Sequence, residues 1–256
     1  GWDARDGSIL ITTRFGNTAQ VHRVLAPGGD RTQISFEADR IASASAAPKT
    51  GDVTVVQKDV GGNEFFQLYT LKDGRLTLLT DGKSRNEFGS WSGDGRLIGY
   101  SSTRRNGTDS DLYVIDPRDP KSDRMVAQVD GGGWQFLDFA PGNATAVVLE
   151  YVSITRSRLW SLDLATGKMT PIGDHAKEVA YGGGAFAPDG TFWVTSDEDS
   201  DFQRLGRIDL ATGRFTPVPN APNWDVEEFA VAPDGRFVAF IVNEAGTSRL
   251  RLLDTK

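Results

Sequence analysis

The sequence predicts an all-β fold, a β-propeller of about six four-stranded blades. No window of about eleven residues keeps the i, i+3, i+4, i+7 apolar spacing of an amphipathic helix without an interrupting glycine or proline. Glycine contributes 29 of the 256 residues and proline only 11, a balance typical of many tight turns rather than of collagen or disorder. One pattern of strands and turns recurs six times at intervals of 44 to 48 residues, which is the length of one propeller blade.

Each repeat is marked by a glycine in its first turn. A short apolar stretch leads into this turn, and two β-rich runs separated by a polar loop come after it. The turn glycines are Gly7, Gly51, Gly95, Gly142, Gly190 and Gly235. Equal spacing favours a propeller over a β-sandwich, because a sandwich does not need repeats of equal length. We therefore expect a single propeller domain over residues 1–256, with repeats at approximately 1–35, 36–82, 83–129, 130–173, 174–220 and 221–256.

The third repeat shows the predicted strands of one blade. Phe88–Ser92 is the predicted inner strand and Arg96–Ser102 the second, joined by the Gly93–Gly95 turn, where glycine supplies a positive φ. The third strand is predicted over Asp111–Asp116, because polar and apolar residues alternate there with a period of two. Asp123–Val129 is the predicted fourth strand. The fifth repeat has the same order of elements.

The two ends of the chain carry incomplete repeats. Repeat one begins at Trp2, where its inner strand should be finishing, and repeat six ends with Leu250–Lys256, which is its third strand. These two blades lack different strands and do not complete each other. Because unpaired strand edges invite association, we expect this chain to be a fragment of a longer protein.

Composition excludes several classes of protein. Lys and Arg number 28 against 35 Asp and Glu, a net charge of −7, so no nucleic-acid partner is expected. The longest apolar run, Phe237–Val242, is far shorter than the roughly 20 residues of a membrane-spanning helix, so no membrane insertion is expected. There is no cysteine, which excludes disulfides and thiolate metal sites. The absence of cysteine fits a periplasmic, a secreted or a cytoplasmic location equally well.

Several segments resemble known propellers. Phe88–Pro117, which contains Ser-Trp-Ser-Gly-Asp-Gly-Arg, resembles TolB-like propeller repeats. Other segments resemble the N-terminal propeller of bacterial prolyl oligopeptidase-family serine peptidases. They are Thr13–Thr18, Val21–Arg23, Gly28–Thr32, Leu149–Ile154, Asp199–Leu205 and Trp224–Phe229. The resemblance covers nearly the whole chain.

The peptidase resemblance implies that catalysis and control of substrate access belong to two different domains. In that family an α/β-hydrolase domain carries the Ser, Asp and His, while the propeller covers the active site and restricts which peptides enter. The implied partners are the α/β-hydrolase domain of the same parent chain and a peptide substrate. Family propellers commonly have seven or eight blades, so six repeats also fit a partial ring of such a parent. The sequence departs from the family pattern because the catalytic domain is absent.

The sequence offers little chemistry of its own. The nearest match to a hydrolase nucleophile motif, Gly89–Gly93, has Trp91 where serine is required. His22 lies in an alternating strand and His175 in an inter-blade loop, and both are interpreted as structural. Ser196–Asp201 resembles half a calcium-binding loop but lacks its glycine and distant glutamate, which favours a solvated loop. We predict no catalytic residue, no metal site and no cofactor, and whether this chain is itself an enzyme stays open.

Binding is predicted on one face of the propeller. The connections between second and third strands are long and charged, and together with the inter-blade loops they should lie at the same end of each blade. Variable loops on a rigid scaffold are the usual location of binding sites. These loops also include the inter-blade segment Asn220–Asn223. The candidate substrate-access or partner-binding residues are Arg104, Arg105, Glu150, Tyr151, Asp197 and Asp199.

Three functions remain open from the sequence. The first is a non-catalytic propeller domain of a serine peptidase that gates peptide access and docks on the hydrolase domain. The second is a stand-alone TolB-like protein-binding propeller of the cell envelope. The third, an independent propeller enzyme such as a lyase or glycosidase, has the least support, because its chemistry requires a cluster of His, carboxylate or Arg groups and the chain has two histidines.

Overall fold

The fold consists of six consecutive antiparallel sheets, here called blades 1 to 6. A computed structural model describes residues 1–219 and 222–256, and it contains no helix among them, so none of these residues forms a helix that could span a bilayer. The residues group into two compact units, Gly1–Gly132 with blades 1 to 3 and Gly133–Lys256 with blades 4 to 6. Each blade lies inside one of the six predicted repeats. The segment Asn220–Asn223 of the predicted binding face begins with two residues outside the described ranges.

The first unit holds eleven of the 22 strands of the described residues. Blade 1 contains β1 (Ile9–Thr13), β2 (Gln20–Val24) and β3 (Arg31–Gln33). Blade 2 contains β4 (Ile41–Ala46), β5 (Thr54–Lys58), β6 (Gln67–Lys72) and β7 (Arg75–Leu78). Blade 3 contains β8 (Asn86–Trp91), β9 (Ile98–Ser102), β10 (Asp111–Asp116) and β11 (Asp119–Ala127).

The second unit continues the same order. Blade 4 contains β12 (Trp134–Phe139), β13 (Thr145–Ser153), β14 (Arg156–Asp163) and β15 (Met169–Ile172). Blade 5 contains β16 (Tyr181–Phe186), β17 (Phe192–Ser196), β18 (Arg204–Ile208) and β19 (Phe215–Pro217). Blade 6 contains β20 (Val226–Val231), β21 (Phe237–Glu244) and β22 (Thr247–Asp254).

Blades 1 and 6 have three strands each, whereas blades 2 to 5 have four. In blade 1 the place of the inner strand is held by a single antiparallel bridge between Trp2 and Ile9. In blade 6 the outer strand is β22, whose Leu250 and Leu252 are 74% and 66% exposed. Both differences match the incomplete repeats seen at the two ends of the sequence.

The core of each unit lies between consecutive blades. Strand β17 shows how it is built, because all five of its residues are buried. Successive strand residues point to opposite faces of a sheet: Phe192 and Val194 pack with residues of blade 4, whereas Trp193 packs with residues of blade 6. In the first unit, Val55 and Val56 of β5 divide in the same way between the clusters shared with blades 3 and 1.

The first turns of blades 3 to 6 place a residue with a positive φ at one fixed position. The amide of that residue donates to the carbonyl three residues earlier, as Gly95 does to Ser92, Gly190 to Ala187 and Gly235 to Ala232. In blade 4 the same bond is made by Asn143, which has a φ of 58°. The predicted turn glycine, Gly142, lies in the same turn with a φ of 90°, directly before Asn143. Asparagine also tolerates a left-handed conformation.

The first prediction concerns the stability of two turns. An added Cβ at Gly95 would lie 2.4 Å from the carbonyl oxygen of Pro48, whereas one at Gly190 would meet nothing within 4 Å. Gly190→Ala carries only the left-handed backbone cost, about 1 kcal/mol. Gly95→Ala must also move backbone, so we expect a loss of about 2–4 kcal/mol. Chemical denaturation of both variants measures the difference, and equal losses would contradict the contact with Pro48.

Candidate functional site

The loop ends of the blades form the candidate binding face of each unit. Because each strand runs antiparallel to its neighbour, the connection between second and third strands emerges at the same end as the connection to the next blade. In the first unit this end carries residues 14–19, 34–40 and 59–66. The opposite end carries tight turns such as the one at Gly95.

A cleft of about 600 Å³ opens on this face of the first unit. We call it the Arg14–Arg40 cleft. Residues of the loop after β1 form one wall, and residues that flank β4 and come after β5 form the other. The cleft is lined by Thr13, Arg14, Asn17, Arg40, Asp59 and Gly62, among others. Its volume lies in the range of roughly 300–1,000 Å³ that is usual for ligand-binding pockets.

The carboxylates around the cleft have partners within the protein. The Nζ atom of buried Lys58 lies 3.2 Å from Glu37 Oε2 and 3.8 Å from Asp39 Oδ2. The backbone amide of Gly61 donates to Asp39 Oδ1 at 3.1 Å. The amide of Glu64 donates to Oδ2 of buried Asp59 at 2.9 Å. Oδ1 of Asp59 is buried and has no hydrogen-bond partner in the described part of the chain.

Two arginines at the cleft retain unused hydrogen-bond donors. Arg40 Nε lies 3.8 Å from Asp59 Oδ1, a distance at which charge attracts but no hydrogen bond forms. The Arg40 side chain is 55% exposed. Arg14 is exposed, and no ion pair or hydrogen bond engages its guanidinium within the described ranges. The cleft therefore presents cationic donors, while its carboxylates are largely satisfied.

The structure uses Arg104, a predicted binding residue, to brace blade 3. Its guanidinium carbon lies 3.7 Å from the centre of the Tyr113 ring, and Nη1 donates to Asp123 Oδ2. The hydroxyl of buried Tyr100 donates to the other Asp123 oxygen at 2.6 Å. Burial and then this bond raise the pKa of Tyr100 far above its usual value. Arg104 thus belongs to a side-chain network that joins the second, third and fourth strands.

Arg105 is engaged in the same loop. Its Nε donates to Oδ2 of fully buried Asp111 at 2.7 Å, and its Nη2 donates to the carbonyl of Val129 at 2.9 Å. Asp111 Oδ1 also accepts the amide of Val129 at 2.9 Å. These bonds join the start of β10 to the end of the blade. The hydrogen bond to Asp111 raises the pKa of Arg105 above its usual value, and Asp109 adds to this shift.

Glu150 and Tyr151, two further predicted residues, have different environments. Glu150 accepts hydrogen bonds from Arg158 Nη1 at 2.9 Å and from Trp160 Nε1 at 3.1 Å, so its charge is paired within blade 4. The backbone amide of Tyr151 donates to Gly133, but its side chain is 51% exposed. It lies beside Ile154, which is 84% exposed, at the tip of the β13–β14 hairpin. This tip leaves apolar surface available to a partner.

Asp197 and Asp199 come directly after β17 in blade 5. Asp197 Oδ1 accepts the amide of Ala180 at 2.7 Å and so fixes the inter-blade loop. Asp199 is exposed and has a φ of 54°. Burial, with the charges of Glu198 and Asp197, raises the pKa of Tyr181 to about 12. Nothing in these contacts tests a binding role for either aspartate, and that role stays a prediction.

The two histidines have structural contacts. His22 is fully buried, its Nδ1 lies 3.0 Å from the carbonyl of Gln20, and its ring meets Phe15 edge to face at 4.9 Å. His175 Nε2 lies 3.0 Å from the carbonyl of Leu159, and its ring packs against Trp160. Within residues 1–219 and 222–256, no group of three or more His, Asp or Glu side chains is placed to hold a metal ion.

Comparison with known proteins identifies the fold. No protein-family model and no curated protein matches the chain, but many solved structures do. A protein described as TolB from Agrobacterium tumefaciens matches with a TM-score of 0.66 and 15% identity, over 88% of this chain and 81% of its own. The chain has the TolB-like β-propeller fold. At such identities the match shows the propeller and leaves its activity open.

Two enzymes also contain this propeller fold. A prolyl endopeptidase matches 98% of this chain with a TM-score of 0.74 and 13% identity, and this chain spans 40% of that protein. An oligogalacturonate lyase in complex with manganese matches 99% of this chain and 72% of its own, with a TM-score of 0.76 and 12% identity. The likeness that the sequence shows to peptidase and TolB propellers is thus confirmed for the fold.

The second prediction separates bracing arginines from free ones. Arg104→Ala removes the ion pair with Asp123 and the packing on Tyr113, so we expect the propeller to lose about 1–3 kcal/mol of stability. Arg14→Ala removes an exposed side chain without an ion pair and should change stability by less than about 0.5 kcal/mol. Urea denaturation of the two variants provides the test, and a stable Arg104→Ala protein would argue against the bracing role.

The third prediction concerns alkaline pH. The folded-state pKa of Tyr181 is about 12, above the value of about 10 expected in the unfolded chain. The folded protein therefore holds this proton more tightly, and stability falls as pH rises from about 10 toward 12. In Tyr181→Phe the free energy of unfolding should fall by about 1–3 kcal/mol less over this pH range than in the unmodified protein. Denaturation of both proteins at pH 8 and at pH 11.5 measures it, and parallel losses in the two proteins would count against the burial of this hydroxyl.

Proposed function

We propose that this chain is a non-catalytic propeller domain that docks through its loop face on an α/β-hydrolase domain of the prolyl oligopeptidase type and gates the entry of peptides. The observation that carries the proposal is the match to a prolyl endopeptidase over 98% of this chain but 40% of the enzyme. The inter-domain dynamics of that enzyme have a role in its catalysis and specificity. Such a role requires a second domain beside the propeller.

The contacts within the chain favour a binding domain over a catalytic domain. Both histidines are held by backbone carbonyls and aromatic rings, and neither is hydrogen-bonded to a serine hydroxyl, the contact that a general base needs. The loops, by contrast, carry exposed apolar residues such as Ile154 and Tyr151 and arginines with unused donors, such as Arg14 and Arg40. Rigid blades with adaptable loops are suited to docking and selection.

A stand-alone protein-binding propeller is the second candidate. It is favoured by the match to the TolB of Agrobacterium tumefaciens, of which this chain spans 81%. The coding sequence downstream of Lys256 distinguishes the two candidates. An α/β-hydrolase domain with a Gly-x-Ser-x-Gly motif supports the gating domain, whereas a stop codon near this point supports the stand-alone propeller.

The fourth prediction tests gating directly. The intact parent protein and its hydrolase domain alone are assayed on a short proline-containing chromogenic peptide and on an unfolded protein of several hundred residues. We expect this chain alone to cleave neither, the hydrolase domain to cleave both, and the intact protein to cleave the short peptide at least about tenfold faster than the long chain, because the propeller restricts entry. The propeller variant Ile154→Asp should weaken docking, whereas Thr77→Asp, on an exposed outer strand, is the matched control.

Two results would contradict the gating proposal. One is hydrolysis of either substrate by this chain alone at a rate proportional to its concentration. The other is an intact protein with the same relative rates on short and long substrates as the hydrolase domain by itself.

A further inference from the structure

We infer that the Arg14–Arg40 cleft binds the carboxylate of a peptide, supplied either by an acidic side chain or by the C-terminus. The inference deepens the proposed function by naming the class of peptide held on the loop face. It rests on that function only for the peptide's origin, because the binding itself can be measured on this chain alone.

The inference begins with an imbalance of donors and acceptors. Asp39 and Asp59 each accept a backbone amide, and Asp39 also faces Lys58. Arg14 has no hydrogen-bond or ion-pair partner in the described part of the chain. Arg40 makes no hydrogen bond there; its Nε approaches Asp59 at 3.8 Å, and its guanidinium carbon lies 5.9 Å from the centre of the Phe66 ring. The groups left over at the cleft are therefore guanidinium N–H donors. They require an acceptor from outside, and an anionic oxygen is the strongest one available.

Asp59 acts as a positioning residue for Arg40. Its Oδ1 atom is buried, makes no hydrogen bond and lies 3.8 Å from Arg40 Nε. An unpaired buried carboxylate oxygen attracts the nearest cation, so it holds the Nε edge of the guanidinium against the wall. The two Nη atoms at the far end then remain for a ligand. A planar pair of Nη groups matches the two oxygens of a carboxylate.

The charge around the cleft favours a carboxylate over a phosphate. Glu37, Asp39 and Asp59 balance the cations Lys58, Arg40 and Arg14, three charges of each sign, and the whole chain carries a net charge of −7. A doubly charged phosphate would require several more cations than this surface offers. A singly charged carboxylate needs only the free donors of the two arginines. Polar side chains of Thr13 and Asn17 on the wall are suited to hydrogen bonds with peptide amides.

The cleft also has a location that suits a peptide. It lies on the loop face and joins two blades of one unit, since Arg14 comes directly after β1 and Arg40 directly before β4. Because the packed sheets fix both ends of the connecting loops, the backbone positions of the two arginines are held by the scaffold. Such preorganisation lowers the entropic cost of holding a flexible ligand.

The fifth prediction is that this chain binds a peptide only when the peptide carries a carboxylate. Fluorescence anisotropy tests it with four labelled pentapeptides of the pattern Ala-Ala-Pro-Ala-X. The last residue is Glu or Gln with an amidated end, or Ala with a free or an amidated end. If a side-chain carboxylate is bound, the Glu-amide peptide binds and its Gln counterpart does not. If a C-terminal carboxylate is bound, the free-acid Ala peptide binds and its amide does not. Either pattern supports the inference, and binding of none of the four, or of all four equally, overturns it.

Variants of the chain locate the binding. Arg14→Gln should weaken the affinity for the bound peptide about tenfold, the usual effect of losing a charge-assisted hydrogen bond. Arg75→Gln is the matched control, because Arg75 is exposed on the opposite end of blade 2. Arg40→Gln should have an effect similar to that of Arg14→Gln, and its folding is checked by circular dichroism because it leaves Asp59 unpaired.

The variant data are decisive because Arg14 has no structural partner in the described part of the chain. An affinity unchanged in Arg14→Gln, or reduced equally in Arg75→Gln, overturns the assignment to this cleft. The outcome is independent of gating: peptide binding by this chain with no effect of the propeller on cleavage would refute the proposed function and retain the cleft. An effect of the propeller on cleavage without peptide binding by this chain would support the proposed function and refute the binding site at the cleft.

Discussion

The structure depends on second strands that bury both of their faces, as those of blades 2 and 5 do within their units. In β17 every residue is buried, because side chains on its two faces enter the cores shared with blade 4 and with blade 6. A single blade of this kind cannot bury both faces of its second strand, since one face would always be exposed to water. The blades therefore stabilise one another in sequence within each unit. Large side chains at these positions, such as Phe192 and Trp193, set the spacing between sheets.

This constraint determines where polar chemistry can occur. The faces of these inner strands are used for packing, so charged side chains collect on the outer strands, at strand ends and in the loops. Many of these charged side chains stabilise the fold itself. Asp111 is fully buried, yet it ties the loop after β9 to the end of blade 3 through Arg105 and the amide of Val129. Removing one partner of such a pair would leave a buried charge, which is costly. A charged loop residue is thus often part of the scaffold.

The periodicity of the sequence was enough to predict the six sheets and most of their strands. The third strand of blade 3 has the predicted bounds Asp111–Asp116, because alternation and turn glycines are local signals. Local signals did not show that in blade 4 the amide of Asn143, and not that of Gly142, makes the hydrogen bond that closes the turn. They also could not show that Arg104 is bound to Asp123, which lies 19 residues away on the fourth strand. Pairing across strands depends on register, and register is set by packing.

The Arg14–Arg40 cleft is a second feature that local sequence patterns could not predict. Its walls come from segments separated by up to about 50 residues, and each segment alone looks like an ordinary polar loop. Arg14 differs from Arg104 in having no carboxylate partner among the described residues, and no sequence pattern reports that difference. Where loop arginines such as Arg104 and Arg105 are neutralised by neighbouring aspartates, an unpaired guanidinium on a rigid wall retains its full capacity for an external anion. Selection of ligands by such a scaffold therefore depends on the charges that folding leaves unpaired.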